Sequence, residues 1–143
     1  MRLFLMTAAA SFFPLATLMM SAEAVAVQDT PTTINGVETV CTGVGSAKDD
    51  PRWSAYPLKV VLATAGGANL ADAHVSLNAG GREVAGLDCD APWILFRAPA
   101  GSYTVTAALI GGGGRSHSAS VTTGGGTAQK TVTLTFSRPP AAQ

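Results

Sequence analysis

Charge is scarce in this chain. Asp, Glu, Lys and Arg make up 13% of the 143 residues, and nine positive charges balance nine negative ones. Proteins that bind nucleic acid or an anionic membrane surface carry a basic patch, because phosphate groups attract Lys and Arg. The sparse and balanced charge therefore argues against both kinds of partner. We expect this protein to bind neither nucleic acid nor a lipid surface.

Catalytic motifs are absent as well. The sequence has no Gly-x-Ser-x-Gly, Cys-x-x-Cys or His-Glu-x-x-His, and neither glycine run opens a helix with a Lys as a phosphate loop does. The two histidines, His74 and His117, each fall on the predicted polar face of a strand. We therefore expect no enzyme activity, no cofactor and no metal. A hydrolase that uses His74 or His117 is the least favoured alternative.

Cysteine is also rare, with Cys41 and Cys89 the two examples. In an exported protein two cysteines predict one disulfide, because the compartment beyond the inner membrane is oxidising. A bond across this 48-residue separation is worth about 4 kcal/mol in the chain-entropy model. A pair of buried free thiols is the alternative.

Export itself is predicted from residues 1–26. Arg2 is the single charge before Glu23, an apolar run follows it, and small residues then offer a cleavage site after Ala24 or Ala26. Pro14 breaks the run, which favours a cleaved signal peptide over the alternative of an uncleaved membrane anchor. The first cysteine comes only at position 41, so a lipid anchor is not expected. We predict a periplasmic or secreted protein with no stable membrane anchor.

The remaining 117 residues suit one domain. We expect a flexible leader at 27–36, a β-sandwich at 37–137 and a disordered tail at 138–143. Apolar residues alternate with polar ones in several short segments, as in Leu58–Thr64 and Lys130–Phe136, and Gly or Pro separates the segments. The pattern predicts an all-β, antiparallel sandwich of seven or eight short strands. The segment Ser116–Thr123, rich in Ser and Thr, is expected at a sheet edge.

One segment carries a family resemblance. Phe96-Arg-Ala-Pro-Ala-Gly-Ser-Tyr-Thr-Val105 reads as a hairpin around a Pro-Ala-Gly turn, and it follows Gly67-Ala-Asn-Leu-Ala-Asp-Ala-His-Val-Ser-Leu77. Together they resemble carboxypeptidase regulatory-like domains, although Ala98 stands where Leu is usual. The resemblance covers about residues 57–123 and implies a transthyretin-like sandwich. Thr39–Gly43 with Cys89–Trp93 is similar to short, exported, single-domain bacterial members of that family, for which no particular activity is implied.

Aromatic residues are the best candidates for ligand binding. Trp53 and Tyr56 lie in a polar segment next to Pro57, where an exposed platform for stacking a sugar ring is one interpretation and a cover over the edge of the core is the other. Trp93 is expected in the core. Tyr103 is expected to pack inward and to donate its hydroxyl to the backbone, as tyrosine corners do.

These observations favour a non-catalytic, exported interaction module of the cell envelope. Its edge strands or loops would contact a protein or a cell-envelope component that the sequence does not identify. The alternative is a carbohydrate-binding module that takes a polysaccharide on Trp53 and Tyr56.

Overall fold

The structure, a computed structural model, describes residues 27–111, 115–124 and 128–137. Its strands are β1 (Thr32–Ile34), β2 (Val37–Thr42), β3 (Leu58–Thr64), β4 (Ala73–Ala79), β5 (Arg82–Cys89), β6 (Trp93–Arg97), β7 (Gly101–Leu109), β8 (Ser116–Thr123) and β9 (Lys130–Phe136). Two short 3₁₀ turns, Gly45–Asp49 and Pro51–Ala55, lie between β2 and β3. The expected signal peptide (1–26) and tail (138–143) lie outside the described residues.

The strands form two sheets, which confirms the predicted all-β sandwich. One sheet has the order β1-β2-β6-β3-β9 and the other the order β5-β4-β7-β8. All neighbouring strands are antiparallel except β3 and β9, which are parallel. This exception to the expected antiparallel arrangement arises because the chain changes sheet between β8 and β9, so that β9 reaches the far edge of the other sheet. No helix in the described ranges is long and apolar enough to cross a membrane.

The core lies between the sheets, where the period-2 pattern predicted it. Successive side chains of a strand point to opposite faces, so alternating apolar residues line one face. Leu58, Val60 and Leu62 of β3 are fully buried, and Leu134 and Phe136 of β9 are buried beside them. The other sheet contributes alternating residues in the same way; those of its two central strands are Ala73, Val75, Leu77, Tyr103, Val105 and Ala107.

The expected leader at 27–36 contains an additional short strand, so that nine strands are described rather than seven or eight. Strand β1 pairs with β2 through a two-residue turn at Asn35 and Gly36, whose φ angles are 48° and 81°. Positive φ at both positions defines the hairpin turn that Asn-Gly favours most strongly. The dipeptide was a sequence signal for this hairpin, and the polar composition around it obscured the signal.

The expected hairpin around the Pro-Ala-Gly turn of Phe96–Val105 is wrong. Strand β6 belongs to the five-stranded sheet and β7 to the four-stranded sheet, so the Pro-Ala-Gly turn crosses the sandwich. The Tyr103 hydroxyl donates to the Pro99 carbonyl at 2.6 Å, and the Thr123 hydroxyl donates to the same oxygen at 3.2 Å. The predicted role of Tyr103 is therefore confirmed, and its bond ties β7 to the crossing turn.

The two cysteines form the predicted disulfide. Cys41 on β2 is bonded to Cys89 at the end of β5, with 5.7 Å between the Cα atoms. Because β2 and β5 belong to different sheets, the bond links the two layers. Both residues are buried, and the link lies at the side of the sandwich formed by β1, β2 and β5. We call this side the closed side.

Candidate functional site

Trp53 and Tyr56 do not form an exposed platform. Both lie at the second 3₁₀ turn or directly after it, and their exposed fractions are 4% and 2%. They pack with Val40 of β2 and Leu95 of β6 on the outer face of the five-stranded sheet, which gives the molecule a second, small apolar cluster. A sugar ring needs an open aromatic face to stack on, so these two side chains as placed do not fit that role.

Polar contacts hold this cluster in place. The Trp53 indole N–H donates to the Ala47 carbonyl at 2.8 Å, and the Tyr56 hydroxyl donates to Glu38 Oε1 at 2.7 Å. Arg97 Nε donates to the other oxygen of Glu38 at 3.1 Å. The bond from Tyr56, helped by Arg97, lowers the pKa of Glu38, whereas burial and the bond to Glu38 raise the pKa of Tyr56 to about 12. The segment 45–56 is therefore a packed cover, the alternative that the sequence left open.

Trp93 is only half-buried, although the sequence placed it in the core. It begins β6 on the outer face of its sheet, and the Lys59 ammonium lies 3.4 Å from the centre of its ring. Burial lowers the pKa of Lys59. Near this pair lies a cleft of about 190 Å³ that Asp49, Asp50 and Gln129 also line. The lysine covers one face of the Trp93 ring.

The histidines lie apart from each other. His74 Nδ1 is 2.7 Å from Asp88 Oδ1 on the outer face of the four-stranded sheet, while the His117 ring meets the Phe136 ring edge-on at 6.0 Å between centroids. Among the residues described, no hydroxyl is hydrogen-bonded to either imidazole, and no three His, Cys, Asp or Glu side chains are grouped to hold a metal ion. A nucleophile–base pair is thus not assembled around either ring.

A different site lies at what we call the open side, where β8 (Ser116–Thr123) and β9 (Lys130–Phe136) end their respective sheets. These two strands lie next to each other across the gap between the sheets. The expectation that Ser116–Thr123 is an edge strand is confirmed. An edge strand presents a row of N–H and C=O groups that can pair with another chain, so the direction of those groups decides what this side can bind.

Hydrogen bonds near the end of β7 identify the outward groups of β8. The Leu109 N–H donates to the Arg115 carbonyl at 2.9 Å, and the Ile110 N–H donates to the Asp72 carbonyl, just before β4, at 2.8 Å. Odd-numbered residues of β7 therefore bond to β8 and even-numbered ones to β4. Bonded and non-bonded pairs alternate along an antiparallel ladder. It follows that four residues of β8 direct their backbone groups away from the sheet: Ser116, Ser118, Ser120 and Thr122.

The same reasoning applies to β9. The Lys130 N–H donates to the Pro57 carbonyl at 2.8 Å, and the Ala65 N–H donates to the Phe136 carbonyl at 3.0 Å. Even-numbered residues of β9 therefore bond to β3, and the odd-numbered ones turn their backbone groups outward; these are Thr131, Thr133 and Thr135. Both free edges of the open side thus combine outward backbone groups with small hydroxyl side chains.

A groove of about 370 Å³ lies between the start of β8 and the end of β9. Phe136 also lines it, but this residue is buried, with 4% of its surface exposed. The Arg115 guanidinium, which donates to the Ser137 carbonyl at 2.7 Å, and the His117 imidazole give it nitrogen donors. None of the six described lining residues is acidic; they are Arg115, Ser116, His117, Thr135, Phe136 and Ser137. The groove therefore favours a negatively charged ligand.

No protein-family model matches this chain, and no curated protein is significantly similar to it. The resemblance to carboxypeptidase regulatory-like domains stays a prediction from the sequence. The open side was only partly visible in that sequence. Alternating Ser at 116, 118 and 120 and Thr at 131, 133 and 135 was its signal, but alternation alone does not tell which backbone groups face outward.

Proposed function

We propose that this protein is a non-catalytic, exported interaction module that binds an extended polypeptide segment along the free edge of β8. One observation carries the proposal: the outward backbone groups of Ser116, Ser118, Ser120 and Thr122 form an edge that nothing in β8 itself protects. An extended segment added to such an edge gains main-chain hydrogen bonds, which is a recurring mode of peptide recognition. The segment would belong to a protein or a cell-envelope component.

Natural sheets usually prevent unwanted edge pairing with Lys, Pro, a bulge or a very short strand. Strand β8 has eight residues without a charge or a proline, and its register with β7 is continuous from Gly101–Thr123 to Ala108–Ser116. Unprotected edges invite aggregation, so an edge of this length without protection is better explained by a partner that covers it. The difference between β8 and the protected edge strands of most sheets supports a binding role.

The location of the protein is part of the proposal. The disulfide is compatible with an exported protein, since such bonds form in oxidising compartments. The signal-peptide pattern of residues 1–26 supports a periplasmic or secreted protein cleaved near Ala24 or Ala26. Membership of the carboxypeptidase regulatory-like family fits the sandwich, and it adds no activity to the proposal.

A matched pair of variants tests the edge. The hydroxyls of Ser118 and Thr106 are hydrogen-bonded to each other at 2.8 Å, so Ser118→Lys and Thr106→Lys each break the same bond and place the same charge on the same sheet face. Only Ser118 has outward backbone groups, because β7 is paired on both sides. We expect Ser118→Lys to abolish the binding of peptides selected from a random display library, and Thr106→Lys to retain most of it.

Hydrogen exchange of backbone amides supplies a second measurement. On binding, the amides of Ser118 and Ser120 should exchange more slowly, because the added strand takes up their N–H groups. Peptides that bind Ser118→Lys as tightly as the unmodified protein, and leave those two amides unprotected, would show that the edge is not the binding site.

A further inference from the structure

We propose that the groove beside Arg115 captures the C-terminal carboxylate of the segment that pairs with β8. This inference rests on the proposed function and goes beyond it, because it predicts that the C-terminal end of a polypeptide binds in preference to an internal segment. The partner it fits is a polypeptide whose last residues are extended and whose C-terminus is free.

The direction of pairing places a chain end at the groove. Strand β8 runs from Ser116 to Thr123, and the groove lies at its beginning. A segment that adds antiparallel to β8 runs the opposite way, so its last residue comes to lie beside Ser116 and Arg115. Parallel addition would instead bring a positively charged N-terminal amine to the Arg115 guanidinium, which like charges oppose. The antiparallel direction is therefore favoured, and it is also the slightly more stable pairing per residue.

The chemistry of the groove suits a terminal carboxylate. A guanidinium is charged at every physiological pH and forms strong hydrogen bonds with carboxylates. The Arg115 side chain is already oriented by its bond to the Ser137 carbonyl. The outward N–H of Ser116 and the imidazole of His117 are further donors at the same end of β8.

Two other kinds of segment that pair with the β8 edge would bring different chemical groups to Arg115. An internal segment of a partner would pair with β8 but bring no carboxylate to Arg115. A second copy of this chain, paired through its own β8, would also place no carboxylate there, because β8 contains no acidic residue. Charge complementarity between the groove and a chain end therefore favours the C-terminal segment over both.

The test uses peptides selected by the purified protein, with its disulfide intact, from a random library displayed with free C-termini. Each selected peptide is then synthesised twice, as the free acid and as the C-terminal amide. We expect amidation to weaken binding about tenfold or more, because it removes a charge-assisted hydrogen bond. This comparison needs no variant of the protein, so a folding defect cannot mimic its result.

Variants of Arg115 locate the effect. Arg115→Gln should weaken binding of the free acid by a similar factor and leave the amide unaffected, whereas Arg115→Lys should retain part of the preference. Arg82→Gln, at the start of β5 on the opposite edge of the same sheet, is the control and should change neither affinity.

The outcomes separate the two proposals. Peptides that depend on Ser118 but bind equally well as acid and amide would overturn carboxylate capture and leave the edge proposal standing. A library without any peptide that depends on Ser118 would overturn both. Concentration-dependent dimers in sedimentation, lost in Ser118→Lys and unaffected by free-acid peptides, would assign the edge to a second copy and also overturn carboxylate capture.

Discussion

The two lateral sides of the sandwich differ in how their edges are protected. At the closed side a disulfide joins β2 to β5, and β5 carries three charged residues, Arg82, Glu83 and Asp88. The pairing of β4 with β5 also shifts register after Leu77, so that Val84 is left as an extra residue. The neighbouring edge strand of the other sheet, β1, is only three residues long.

The open side has few of these features. Strand β8 is uncharged and regular, and β9 carries a single charge, Lys130 at its start. Described bonds across this side are limited to its end, where the Arg115 side chain reaches Ser137. Charge and bulges deter pairing with other chains. The difference teaches that one sheet, whose edges are β5 and β8, carries features that deter pairing at one edge and lacks them at the other.

The largest expected effect on stability comes from removing the disulfide of the closed side. Replacing Cys41 and Cys89 together by Ser should lower the free energy of unfolding by about 4 kcal/mol, because the unfolded chain regains the entropy of a 48-residue loop. Urea unfolding of the double variant measures this loss, and the reduced unmodified protein is its control. If both unfold at the same urea concentration as the oxidised protein, the closed side does not depend on the bond.

A smaller effect is expected from Gly43, just after β2 on the closed side. Its φ is +105°, and a Cβ at this position would lie 2.6 Å from Trp93 Cγ. Gly43→Ala should therefore lower the free energy of unfolding by about 3 kcal/mol through strain and overpacking. Gly66→Ala is the matched control, since its nearest neighbour would be Thr64 Oγ1 at 3.9 Å. Equal stability of the two variants would contradict the prediction.

Proline substitutions at two neighbouring positions of β8 test which backbone groups of the open side face outward. Ala119→Pro removes an N–H that is directed toward β7 and should lower the free energy of unfolding by about 2 kcal/mol. Ser120→Pro removes an outward N–H, so it should be less costly while still abolishing peptide binding. Thermal unfolding and peptide binding are measured on both variants. The reverse order of stabilities would mean that the outward groups are those of the odd-numbered residues.

The smallest expected effect is a pH dependence of the cover 45–56, which packs on β2. The pKa of Glu38 is lowered by Tyr56 and Arg97, so its contribution to stability is present above the ordinary value of 4.5 and is lost as the pH falls below it. The pKa of Tyr56 is raised to about 12, so its contribution is present below pH 10 and is lost between pH 10 and 12.

Two variants separate these contributions. In Glu38→Gln the loss of stability in acid should be weaker than in the unmodified protein, and in Tyr56→Phe the loss between pH 10 and 12 should disappear. Unfolding free energies measured across the pH range provide the check. An unchanged acid slope in Glu38→Gln would show that this carboxylate is not coupled to folding.

Much of the fold was predictable because alternation is a local property. A strand with one buried face must place apolar residues at every second position, and Leu58, Val60 and Leu62 do so in the sequence as in the structure. The disulfide was predictable for a similar reason, since two cysteines allow a single pairing. The short strand β1 was not predicted, although Asn35-Gly36 is a turn signal that acts through backbone angles alone.

What the sequence by itself determined is thus the all-β class, most of the strands with their buried faces, and the one pairing that two cysteines allow. Only the tertiary structure decided that the turn after β6 crosses to the other sheet and that Trp53 and Tyr56 pack on the outer face of the five-stranded sheet. It also decided that β8 and β9 direct the backbone groups of their Ser and Thr residues away from the sheets. The physical reason is that alternation fixes the face on which a side chain lies, whereas the neighbour of a strand depends on pairing between residues far apart in the chain. The binding that we propose for the open side depends on that pairing.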